Sequence, residues 1–457
     1  MAAAVESGIT TESPTLIEVD RQAQFAFSPG GVKYWLWVLF CAGLTALGGA
    51  YWLHQIYYTF NITGYGQPTM WAVYITNFVF WVGIAHSGTL ISAILYLFRV
   101  RWRTGIFRLA ETMTVFAVAT AGLFPLIHLG RVWNFYWLVP YPNERSLQPD
   151  FRSPLVWDLF AISTYLTISV MFLFTGMIPD IANAREKATG FRRILYSILS
   201  FGWQGTDRQW RNFSMVYLLL AAFATPLVLS VHSVVSWDFA MTQLPGWHST
   251  IFAPYFVAGA IFSGCALVLT LAIPMRRLMK LENLITIWHL DCLSKIVLLT
   301  SVVMTYSYAT ESFMVWYTGD PIELATFHER YFGPQGYWFW LMIFCNCVVP
   351  LLLFIPTVRT TTIWLFIVSI FVNIGMWLER FVIISGSLST NQDPSQWKFY
   401  MPFATEIAIT IGSFGWFLMN FSLFAKFLPI VSTTELKDGI KYLRQAVREV
   451  YPYRRAA

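Results

Sequence analysis

His128 ends one apolar stretch of this sequence, and Asp158 opens the next, four residues after Pro154. Between them lie Arg131 and the aromatic residues Trp133, Phe135, Tyr136 and Trp137, with Trp157 beside the carboxylate. An imidazole titrates near neutrality, and a carboxylate can orient it or relay its proton. Set together at one edge of a bilayer, the pair has the chemistry to accept protons from a flat, apolar, two-electron carrier. The aromatic residues would then wall the ring, or serve only as the belt found at membrane–water interfaces.

Composition supplies the bilayer. Of 457 residues, 56% are hydrophobic and 12% charged, against about 25% charged in soluble domains. The net charge of +6 falls in loops between apolar spans, so it marks membrane topology and contact with lipid, with no nucleic-acid partner. Cys41, Cys265, Cys292, Cys345 and Cys347 form no CxxC and lie in or beside apolar spans, where cysteine is a small core residue. Iron–sulfur clusters need about four thiolates at set spacings, so such a centre belongs to a partner, and no metal site is expected here. The polar N-terminal segment lacks the apolar core of a secretory signal. The first span, from Lys33, is the expected insertion signal.

A spanning helix needs about 20 mostly apolar residues. That rule predicts ten spans, at 33–59, 68–98, 106–129, 154–178, 212–236, 249–274, 292–316, 336–356, 361–385 and 402–428. With the N-terminus inside, 23 of the 30 Lys and Arg residues fall in cytoplasmic segments or at the cytoplasmic ends of spans, and five in outer loops. Lys295 and Arg380 fall inside spans and are counted with neither side. Both termini are therefore expected in the cytoplasm. Near the C-terminus, Leu436, Ile440, Leu443, Val447 and Val450 share one helical face. A surface helix lying on the membrane or on a partner would follow; a solvated tail helix is the plainer reading.

The stretch from Gly83 to Arg101 aligns without gaps with Gly259 to Arg277, sharing a Gly, a Ser-Gly and the final Arg. Spans two to five would repeat as spans six to nine, in the same orientation. Small residues recur in membrane helices for packing alone. The expected fold is an all-α integral membrane protein: a cytoplasmic segment 1–32, a flanking helix 33–59, four-helix bundles over 60–236 and 237–385, a last flanking helix 386–428, and an amphipathic tail 429–457.

Charged groups in a bilayer cost about 2.5–3.5 kcal/mol each on insertion scales and need a partner or a task. Span direction puts His128, Asp158, His232 and Asp238 towards the outer face. His86, Ser87 and Glu111 lie below them as possible steps of a proton route. Asp291, Lys295, Glu311, Glu379, Arg380 and Glu406 could form another in the second half, although static pairing, as between Asp291 and Lys295, accounts for them too. A haem would need two axial histidines, for which His128 and His232 are the rough candidates. A secondary transporter would place its site at the midplane beside broken helices, whereas the densest polar cluster here is at the outer edge.

The ten spans, "GIAHSG" in the second, "FPLIHLGRVW" closing the third and "PLVWDL" opening the fourth resemble the NrfD-type membrane subunits of polysulphide reductase-like complexes. The flanking spans and tail resemble in particular the ActC-type subunits of alternative complex III. The resemblance implies a menaquinol or related quinone site at the outer end of the first bundle, with His128 and Asp158 as the reacting pair. Asp238, His232 and Arg131 would complete the pocket. It implies an external iron–sulfur subunit of the molybdopterin-enzyme type, haem c subunits, a paralogous membrane subunit, and a cytochrome, cupredoxin or terminal oxidase as acceptor. The haem and the clusters would sit in those partners and not in this chain. A bacterial cytoplasmic membrane is the implied location, and proton translocation the implied further task.

Overall fold

The computed structural model describes residues 30–437 except 140, 144, 145 and 147. The N-terminal polar segment, Arg145 and nearly all of the amphipathic tail lie outside the described residues. Among the described residues ten helices are long and apolar enough to cross a membrane: α1 Val32–Ile62, α2 Val73–Leu97, α3 Phe107–His128, α4 Pro154–Glu186, α5 Asp207–Ala240, α6 Phe252–Leu278, α7 Ile287–Thr318, α8 Gly336–Phe354, α9 Thr362–Ser389 and α10 Ala404–Phe427. The chain is an all-helical, multi-pass membrane protein, as the hydropathy predicts.

Where ends differ from the apolar windows, capping explains the shift. α5 starts at Asp207, not 212, because Thr206 and Gln209 form a reciprocal capping box that satisfies exposed N–H groups. α7 starts at Ile287, not 292, behind Thr286 and its bonds with His289. α7 stops at Gly319, whose φ of +69° suits glycine. Asp320 then caps the short helix Pro321–Phe332, accepting from the Ile322 and Glu323 amides at 2.8 and 3.1 Å. α4 runs on past Pro179 to Glu186.

α2 is central: from Thr76 to Thr89 every residue is buried. It packs on α3, α5, α6, α9 and α10. α6 packs on α2, α5, α7 and α9, while α4 joins α3 and α5, and α8 joins α7 and α9. α1 is peripheral; only Val38, Cys41, Gly48 and Gln55 of Val32–Tyr58 are buried, in one stripe that faces α10. A Cβ on Gly48 would stand 2.7 Å from the Gly412 Cα, so glycine permits this crossing.

The two stretches with the matching motif meet each other. Gly264 of α6 lies against Ser87 and the Ile84 carbonyl of α2, and Gly88 of α2 lies against Thr114 and the Ala110 carbonyl of α3. Their glycines are contact points between helices. Gly83 and Gly259 do something further, because each faces a polar side chain: His232 of α5 in the first case, Arg380 of α9 in the second.

Candidate functional site

α3 breaks into Phe107–Ala121 and Leu123–His128 around Gly122, and His128 closes the second piece. Its ring meets Phe60 and Tyr65, with centroids 6.4 and 5.8 Å away. Gly130 has φ +67°, and a Cβ there would lie 2.8 Å from the Phe60 ring. Glycine thus lets the α1–α2 connection close over the histidine. The His128 Nδ1 is buried without a hydrogen-bond partner.

Tyr65 is held from three sides. It stacks on Tyr74 at 5.2 Å, and its hydroxyl accepts from the Tyr74 amide at 3.1 Å. The Tyr74 hydroxyl donates to Gln55 Oε1 at 2.6 Å, and Gln55 Nε2 donates to the Ile127 carbonyl at 3.2 Å, beside His128. The Glu406 carboxylate accepts from the Gly64 amide at 2.9 Å, from the Phe403 amide at 2.6 Å, and from the Tyr400 hydroxyl. Burial pushes the Tyr65 phenol well above its ordinary range, so it stays protonated at working pH. α1 and α10 therefore reach the histidine through one loop.

Asp158, in the second turn of α4, and Asp238, near the end of α5, are both buried, and their carboxyl groups lie against each other. One oxygen of each has no hydrogen-bond partner. Beside them Trp157 and Trp237 meet edge to face at 6.1 Å, and Trp157 Nε1 donates to the Phe151 carbonyl at 2.7 Å. Two carboxyl groups in contact form a place to hold a proton.

His232 does not join this group. It precedes Asp238 by six residues, about 9 Å along a helix, and its ring packs on His86 with centroids 4.9 Å apart. The sequence placed it at the outer level, but α5 continues to Ala240, which leaves His232 a turn and a half inside. His86 in turn stacks on Tyr165 at 4.8 Å and its Nδ1 lies 2.6 Å from the Val82 carbonyl. His86 Nε2 and both His232 nitrogens are buried without partners. His128 and His232 thus have different ring neighbours, Phe60 and Tyr65 for the first and His86 and Phe256 for the second. Arg131 is exposed, as are the Trp133, Phe135, Tyr136 and Trp137 side chains, whereas Phe60 and Tyr65 lie against the His128 ring.

The remaining polar groups form separate clusters. At the end opposite His128, Glu111 accepts from the Tyr217 hydroxyl at 3.0 Å and stands 3.6 Å from Arg108. Arg108 pairs with Asp180 at 3.3 Å, and Asp180 accepts from the Thr433 and Thr434 hydroxyls at 2.7 and 2.9 Å. Ser87 donates to its own helix at Ile84. Asp291 binds Lys295 at 2.6 Å and Arg359 at 2.9 Å, away from Glu379. Glu379 pairs with Arg380 and accepts from the Tyr308 hydroxyl, to which Asn346 also donates at 3.0 Å. Glu311 pairs with Arg330 at 3.0 Å. Among the described residues no three His, Cys, Asp or Glu side chains converge as metal ligands would.

Sequence reasoning missed Asp180, Gln55 and the tyrosines 65, 74, 165, 217 and 308. A usable signal was there, since a buried tyrosine hydroxyl or glutamine amide needs a partner.

Comparison with known proteins adds three relatives. The chain is similar to a putative dimethyl sulfoxide reductase membrane subunit of Halobacterium salinarum, 28% identical over 83% of this chain and 87% of that one. A selenate reductase subunit of Mesobacillus selenatarsenatis is 21% identical over 79% and 86%. The Hdr-like menaquinol oxidoreductase integral membrane subunit of Archaeoglobus fulgidus is 21% identical over 77% and 79%. Residues 61–391, which run from the connection carrying Tyr65 to the end of α9, match the family described as "Polysulphide reductase, NrfD". The chain belongs to the polysulphide reductase NrfD family.

Proposed function

We propose that this chain is the quinol-oxidising membrane subunit of an electron-transfer complex, with its site between His128 and the Asp158–Asp238 pair. The observation that carries this reading is a set of buried polar atoms without partners at one end of the helices: His128 Nδ1 and one oxygen of each carboxyl group. Buried polar atoms are normally satisfied, so three left open at one end, the imidazole among them lying beside two aromatic rings, fit a ligand with two hydroxyl groups and an apolar body. A relative named as a menaquinol oxidoreductase subunit supports menaquinol as the ligand class.

A bound quinol would supply two electrons and two protons. His128 accepts a hydroxyl proton at its ring nitrogen, and Phe60 and Tyr65 hold that ring in place. The carboxyl pair accepts the second proton and passes it towards the nearby surface. Electrons leave to an external iron–sulfur subunit, of the kind that accompanies reductase membrane subunits, and then to haem c and a terminal acceptor. The flanking α1 and α10, which buttress Tyr65, favour the alternative complex III type, in which this would be the ActC-like chain. α2–α5 and α6–α9 form its two halves, on a bacterial cytoplasmic membrane with the His128 end outside.

Proton translocation is the second part of the proposal. A series of buried groups runs from Glu111 and Tyr217 through Thr114, Tyr165 and His86 to His232, and another joins Arg380 and Glu379 to Tyr308. Reconstituted complex that oxidises quinol with only scalar proton release would remove this part. For the site itself, His128→Ala and Asp158→Asn in assembled complex are each expected to lower quinol oxidation by about a hundredfold or more, and near-normal turnover would refute it.

A further inference from the structure

The second half of the molecule carries a cavity of about 160 Å³ at the same end as His128. It lies where α8 begins and α9 ends, as Asp158 and Asp238 lie where α4 begins and α5 ends. The end of helix Pro321–Phe332 and the start of α8 give Glu329, Arg330 and Gln335; the end of α9 gives Ser389 and Thr390; the following loop gives Lys398. In place of a histidine and two carboxyl groups, this half presents separated charges of both signs.

Those charges are specific in arrangement. Arg330 is buried and already committed, to Glu311 at 3.0 Å and to Ser387 at 3.0 Å. Lys398 is exposed, and Glu329 is half-buried; neither side chain has a partner among the described residues. The Ser389 hydroxyl donates to the Ser385 carbonyl and accepts from Gln335 Nε2 and Thr69; the Thr390 hydroxyl, which donates to the Gly386 carbonyl, and Gln335 Oε1 beside Gly386 keep lone pairs for the cavity. An occupant can therefore pair with one free cation and, elsewhere on the same cavity wall, with a free carboxylate and two further acceptors. A phosphodiester joined to a primary ammonium has that shape, whereas a simple anion would leave Glu329 opposed.

The surface below the cavity fits the rest of such a molecule. Along α8, Tyr337, Leu341, Phe344, Val348 and Leu352 are all exposed, each between 41% and 50%. They descend from Gln335 as an apolar track into the depth of the bilayer. We propose that this cavity holds the headgroup of an amine-bearing phospholipid of the phosphatidylethanolamine class, with its phosphate at Lys398, its ammonium at Glu329, and its acyl chains along α8.

The test uses purified full-length chain, delipidated in detergent and offered phosphatidylethanolamine, phosphatidylglycerol, phosphatidylcholine or menaquinone at equal mole fraction, with retained ligand counted by native mass spectrometry. One phosphatidylethanolamine should be retained, about tenfold over the other lipids, and menaquinone should not displace it. Lys398→Ala and Glu329→Gln should each remove that preference. Both sites are at the surface, so melting in lipid-free detergent should match the parent chain. Gly386→Leu, which fills the cavity without touching a charge, should also abolish retention. Equal retention of phosphatidylglycerol, displacement by menaquinone, or unchanged retention in all three variants would overturn the proposal.

Discussion

Glu406 offers the sharpest test of how the candidate site is held. Its position inside the last span made it a candidate for proton transfer, but its carboxylate is occupied by the Gly64 and Phe403 amides and the Tyr400 hydroxyl. Hydrogen bonds to a charged acceptor contribute about 1.5–3 kcal/mol each. Glu406→Ala strands all three donors; water can reach the two part-buried amides, so a net loss of about 2–4 kcal/mol is expected. Glu406→Gln keeps one acceptor oxygen and turns an NH2 group towards a donor, which should cost about half as much. Because the Gly64 bond fixes the turn that presents Tyr65 to His128, the same variants should raise KM for quinol by about tenfold while kcat falls less. Thermal unfolding in detergent and steady-state quinol oxidation by the assembled complex measure the two effects. A Glu406→Gln variant with parental melting temperature and KM, but without vectorial proton transfer, would refute the clamp and restore the relay.

Asp158→Asn and Asp238→Asn each keep the shape of the carboxyl pair while removing one acid; either should lower kcat by about a hundredfold or more, the usual range for losing a general acid or base. Gly264→Leu places a side chain on the Ser87 hydroxyl and the Ile84 carbonyl, where overpacking costs about 1–3 kcal/mol or more; loss of monodisperse protein in size-exclusion chromatography checks this. Glu435, which Arg103 binds at 2.6 Å, is held above its ordinary value of 4.5, first by burial, with Arg103 opposing the shift. A carboxyl group raised in the folded state adds stability below its unfolded value and loses it as pH rises through the folded value. Arg103→Met removes the opposing cation, so this variant should lose melting temperature between pH 5 and 8 more steeply than the parent chain.

Hydropathy located the ten spans because a bilayer tolerates little else between its faces. It also put His128 and Asp158 at one end, since one residue ends α3 and the other begins α4. What it could not give was rotation about each helix axis. Asp238 fell just past the predicted end of its span at the level of Asp158, and the extra turns of α5 set it on that helix beside Asp158. His232 read as its companion, yet it points at His86. Glu406, Tyr65 and Gln55 lie far apart in the chain and meet only through α1, α10 and a connection whose fold depends on both. The Asp291–Lys295 pair was legible from spacing alone, because residues four apart on a helix are neighbours. Its third member, Arg359, was not, coming from the α8–α9 turn.

The central claim is that quinol binds between His128 and the carboxyl pair. A photoreactive menaquinone analogue, added to purified complex and followed by peptide mapping, tests it most directly. Labelling should fall on peptides carrying Phe60, Tyr65 and His128, compete with menaquinol, and drop at least about tenfold in His128→Ala. Undiminished labelling in that variant, or labelling confined to α6–α9, would contradict the account.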